Sequence, residues 1–95
     1  MVRSQTRIAT HAADRYAKQL CNHATRMGAR AEWTPPAGVI AFPQGGTCHV
    51  TARSEELVLI AEAASTAQLA TIQSIVAADL QRFGHRDAMT VNWSS

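Results

Sequence analysis

The spacing of apolar residues changes several times along the chain, and each change marks an element. Over residues 5–10 apolar and polar positions alternate, with threonine and isoleucine prominent, which predicts a strand with one half-buried face. Past Thr10 and His11 the spacing becomes three and four. Ala13, Tyr16, Ala17, Leu20, Cys21, Ala24 and Met27 then share one side of an amphipathic helix. Gly28 stops it, because glycine takes the left-handed backbone of a helix end without a Cβ clash.

Four short strands are predicted next, over residues 31–34, 39–42, 47–52 and 57–63. Each is bounded by turn chemistry: Pro35-Pro36-Ala37-Gly38, then Pro43-Gln44-Gly45-Gly46, then Arg53-Ser54-Glu55-Glu56. Connections this short imply an antiparallel meander. Ser65 and Gln68 stand at capping-box spacing just before Leu69, Ile72, Val76, Leu80 and Phe83, so a second amphipathic helix begins there. Gly84 is its predicted stop, with Arg82, His85 and Arg86 placed to complement the helix dipole. Met89, Val91 and Trp93 alternate with Thr90 and Asn92 as a last strand.

The order β-α-β-β-β-β-α-β predicts one domain over residues 1–95, with no repeat or linker. Each helix has a single apolar stripe and must lie on a sheet. The expected fold is therefore an α+β two-layer sandwich, a mainly antiparallel sheet with both helices packed on one face. This order resembles the plan of TATA-binding-protein-like folds, a likeness of architecture that carries no function.

Two segments depart from simple alternation. In Val39-Ile40-Ala41-Phe42 and Leu57-Val58-Leu59-Ile60-Ala61 both alternating sets are apolar, which predicts that the second face of the sheet is also covered. A symmetric homodimer would cover it, as would a ligand groove, a curled sheet or the chain's own termini.

Composition narrows the class. Hydrophobic residues at 46% with 17% charged fit a globular domain, and no apolar run approaches the roughly 20 residues a membrane-spanning helix needs. Residues 1–5 carry no apolar leader, and Cys21 and Cys48 are the only cysteines, so a reducing cytoplasmic setting is expected. Charge is unevenly distributed. Residues 1–30 hold Arg3, Arg7, Arg15, Lys18, Arg26 and Arg30 against Asp14 alone, whereas the acids dominate the remainder.

Candidate chemistry centres on the first helix. Arg15, Lys18, Gln19 and Arg26, with Asn22, form a basic, hydrogen-bonding ridge opposite the apolar stripe. Such a ridge suits an anionic small molecule, an acidic protein or nucleic-acid phosphates, or is simply a solvated helix face. His23 lies at the edge of the buried stripe, about one turn from Leu20 and Met27, where an imidazole packs and still reaches a polar partner. Trp33 and Trp93 fall in strands, as packing residues or as a stacking platform for a planar ligand.

Metal chemistry is weaker on spacing. Cys21 and His23 are separated by roughly 200° around a helix, and Cys48 and His49 point to opposite faces of a strand. Both cysteines read as small core residues. His23 with Cys48 or Cys21 is the remaining pairing for a metal- or haem-associated protein or small redox enzyme, and no resident cofactor is implied. Neither a paired-carboxylate nor a nucleophile–histidine arrangement is identifiable, which favours a non-enzymatic domain.

The chain also resembles the bacterial family designated domain of unknown function 2218. The residues that carry this are Arg15-Tyr16, Lys18-Gln19-Leu20-Cys21, His23, Trp33, Phe42, Gly46-Thr47-Cys48, Arg82-Phe83, Arg86 and Trp93. The start of the first helix, His11-Ala12-Ala13, departs from the acidic, proline-containing pattern expected there. The resemblance implies an accessory role in iron handling, beside or joined to a siderophore-interacting flavoprotein. The expectation is a homodimeric, non-enzymatic binding or accessory domain. A metal or redox role is second, and nucleic-acid binding through the basic helix third.

Overall fold

The computed structural model describes residues 1–83 and 91–94. Its elements are β1 (Val2–Ala9), α1 (Ala13–Arg26), β2 (Arg30–Thr34), β3 (Ala37–Ala41), β4 (Thr47–Ala52), β5 (Glu56–Ala63) and α2 (Thr66–Phe83). The five strands form one sheet in the order β1-β5-β4-β3-β2, and every neighbouring pair is antiparallel. This is the predicted α+β architecture. No described helix is long and apolar enough to cross a membrane.

The first strand pairs with the last of the meander, so the chain must cross the whole sheet between β1 and β2. Four strand spacings amount to about 19 Å. The 14 residues of α1, at 1.5 Å each, span about 21 Å. The first helix is therefore long enough to bridge the two edges, and it packs against β2, β3, β4 and β5 on the way. Gly38 lets it come close: a Cβ there would lie 2.9 Å from Trp33 Cε3 and 3.3 Å from Cys21 Sγ.

Strand register assigns each face. Thr6, Leu59, Val50, Gly38 and Trp33 form one row across the sheet, and Ser4, Ala61, Cys48, Ile40 and Ala31 the next. These rows face the helices. Tyr16, Ala17, Leu20 and Cys21 of α1 and Leu69, Ile72, Val76 and Leu80 of α2 close the core over them. The Ser65 half of the predicted capping box forms, since its Oγ accepts from the Gln68 backbone N–H at 3.2 Å. The Gln68 side chain lies against Gly45 instead.

The helix-free face is mixed rather than apolar. One row reads Gln5, Ile60, His49, Val39, Glu32, and another Arg7, Val58, Thr51, Ala37, Thr34. Val58 is nonetheless only 7% exposed, although it stands outside the main core cluster. Its cross-strand neighbours are Arg7 and Thr51, and Arg7 reaches Glu56 at 3.3 Å. Long polar side chains thus hide part of the apolar surface that the twin-apolar pattern predicted.

Among the described residues of the predicted last strand there is one bridge. Ser94 pairs with Gln5 on the free edge of β1, with N–H to O distances of 2.7 and 2.8 Å. Val91 and Trp93 pack against the core from that edge. Gly84, His85, Arg86, Met89 and Thr90 lie outside the described residues.

Candidate functional site

Where the two helices meet, one side chain from each leaves the apolar stripe. His23 stands at the edge of the α1 stripe, and Asp79 follows Val76 by three residues on the buried side of α2. Their atoms Nε2 and Oδ1 are 3.4 Å apart. The His23 ring also meets the edge of Phe83 at 5.6 Å between centroids and 80° between planes. Asp79 is only 7% exposed. A carboxylate that deep needs a partner, and the imidazole supplies it.

Beneath this pair lies a cleft of about 340 Å³. Its apolar lining comes from Leu20 and Ala24 of α1, Ile75 and Val76 of α2, and Ala29, Ile40 and Phe42 at the adjoining end of the sheet. Pro43 and Gln44 come from the β3–β4 turn, and Met27 and Arg82 complete the lining with His23 and Asp79. Met27 is 70% exposed and offers a flexible apolar side chain to whatever enters. An apolar cavity of this size with a few convergent polar groups has the make-up of a small-molecule site.

His23 also lines a second depression, of about 320 Å³, on the outer flank of α1. There it meets Arg15, Lys18, Gln19, Asn22, Arg26 and Phe83. The basic ridge expected from helical spacing is therefore one continuous surface. Arg15 lies over the Tyr16 ring, 5.3 Å from its centroid.

The tryptophans belong elsewhere. Trp33 is in β2 and Trp93 beside β1, at opposite edges of the sheet, both half-buried against the core. They form no common platform, and neither lines the cleft or the depression.

The cysteines are free and buried. Burial pushes the Cys48 thiol up to about 12, with the nearby Cys21 adding to the effect, and burial also raises Cys21. His23 meets Asp79 rather than either thiol. Among the described residues no three His, Cys, Asp or Glu side chains gather as a metal site. His11 and His49 are exposed, and His49 stands 3.4 Å from Glu62 on the helix-free face.

Asp79 is the site residue that periodicity overlooked. Its signal was a carboxylate three residues after Val76 and four before Phe83, inside an otherwise apolar stripe.

The family described as an uncharacterized protein conserved in bacteria, DUF2218, matches residues 5–94. The chain belongs to DUF2218. The matched span includes both helices, so the His23 cleft lies inside the DUF2218 unit. The NMR structure of PA4090 from Pseudomonas aeruginosa is similar, at 30% identity with a TM-score of 0.80. That likeness covers 99% of this DUF2218 chain and 96% of the other. No curated protein matches the chain.

Proposed function

We propose that this DUF2218 chain is a non-catalytic binding domain whose His23 cleft takes the apolar part of a small molecule. The observation that carries this is the cleft itself: an apolar floor of Leu20, Ile40 and Val76 beside a fixed His23–Asp79 pair. Binding is favoured over catalysis by the lining. Among the described residues no serine, threonine, cysteine or lysine faces the His–Asp pair across the cleft, so no nucleophile is set against the imidazole.

The same proposal places the domain in the cytoplasm, as a homodimer and as an accessory to a siderophore-interacting flavoprotein. Two free, buried thiols suit a reducing compartment. Val39 and Ile60, half-buried on the helix-free face among the polar neighbours Gln5, Glu32 and His49, suit a second copy of the chain. The basic flank of α1 suits an acidic partner.

NMR titration of the full chain with 1-octanol, an uncharged apolar probe, tests the cleft. Saturable shifts at Ala29, Ile40 and Val76 are expected, and Met27→Trp at the exposed margin should weaken them. Saturation that spares those three residues, or no saturation at all, removes the reading.

A further inference from the structure

His23 is a wall shared by two cavities of opposite character. One is the apolar cleft; the other is the basic depression between the outer flank of α1 and Phe83. Arg15, Lys18 and Arg26 converge on the depression, and no carboxylate among the described residues lines it. Neither Lys18 nor Arg26 has an ion-pair partner among the described residues. Three cations gathered with no counter-charge among the described residues repel one another, and an anion seated among them relieves that repulsion. Stacking over Tyr16 restricts Arg15, so part of the ordering cost of binding is already met. Asp79, the one carboxylate lining the cleft among the described residues, is engaged by His23, which lines the depression as well.

We propose that the site takes a free amphipathic anion. Its apolar chain or ring fills the cleft, its carboxylate, phosphate or phenolate head lies among Arg15, Lys18 and Arg26, and the His23 imidazole packs between the two parts. This deepens the cleft reading and rests on it. Gln19 and Asn22, also in the depression, offer amides to the same head group.

The test compares octanoate with 1-octanol on the full chain, read by NMR shifts and binding curves. Octanoate is expected to bind about tenfold more tightly than 1-octanol at low salt and to shift Asn22 as well as Ile40. Lys18→Gln with Arg26→Gln should remove most of that tenfold while leaving 1-octanol binding unchanged. Arg53→Gln, a cation remote in sequence from both cavities, should change neither. Equal affinities for the two probes would overturn the anionic-head assignment while leaving the cleft reading intact. An equal loss from Arg53→Gln would also overturn it, because the preference would then come from overall charge. Failure of both probes to reach Ile40 would overturn both readings. Association with phosphatidylglycerol vesicles in place of octanoate binding would overturn the assignment to a free molecule.

Discussion

His23 Nε2 stands 3.4 Å from Asp79 Oδ1, joining α1 to α2 beside the cleft that both residues line. The two ends of this contact differ in solvent access: the His23 side chain is 24% exposed and that of Asp79 10%. Removing either partner therefore has unequal consequences. Without His23 a buried carboxylate loses its partner, whereas without Asp79 the imidazole still reaches water. His23→Ala should cost about 2 kcal/mol in urea unfolding and Asp79→Asn, which keeps an acceptor facing Nε2, less than about 1 kcal/mol.

Gly46 is the backbone position least open to change. Its φ is +99°, and a Cβ would collide with Ile72 Cδ1 and lie 2.8 Å from the Glu62 carbonyl oxygen. Phe42 donates its N–H to the Gly46 oxygen at 3.0 Å, so the same turn helps place a cleft-lining ring. Gly46→Ala should cost roughly 2–4 kcal/mol, from left-handed strain together with displacement of Ile72. A denaturant midpoint that barely moves would contradict this geometry.

Cys48 couples stability to alkaline pH. Unfolded, its thiol loses a proton near the ordinary value of 9.0; folded, it holds the proton up to about 12. Between those values the unfolded chain binds fewer protons, so stability falls as pH rises, by about 1.4 kcal/mol per unit from this group. Below the unfolded value the contribution is constant. Urea unfolding across this window should show a steeper alkaline decline for the wild-type chain than for Cys48→Ala. Parallel curves would mean that the thiol does not titrate as its burial requires.

Ile60 reports on the proposed homodimer. It lies on the helix-free face opposite Gln5 and His49, half-buried within one chain. Sedimentation equilibrium at micromolar concentration should show a dimer for the wild type and a folded monomer for Ile60→Glu, since a desolvated carboxylate at an interface opposes association. A wild-type monomer would dismiss the homodimer and leave the cleft untouched.

Much of the architecture was legible because local signals agreed with tertiary packing. The α1 stripe Tyr16, Ala17, Leu20, Cys21 and Ala24 is buried as its spacing predicts, and Gly28 follows the helix with φ at +93°. Both glycines of the Gly45-Gly46 turn also have positive φ, as that turn requires. The basic ridge was visible for the same reason: residues at helical spacing share a face wherever the helix lies. Trp33 and Trp93 could not be sorted this way. Their separation depends on β1 and β2 occupying opposite edges, which no single segment encodes.

The sequence by itself determined the elements, their order, the buried stripes and the basic flank of α1, because periodicity, turn residues and caps act within a few neighbours. Only the tertiary structure decided that β1 lies beside β5, that Asp79 meets His23, and that Arg7 and Thr51 flank Val58. Those relationships join residues far apart in the chain. Their free energy comes from strand pairing, burial and charge pairing, and it exists only once those distant segments have been brought together.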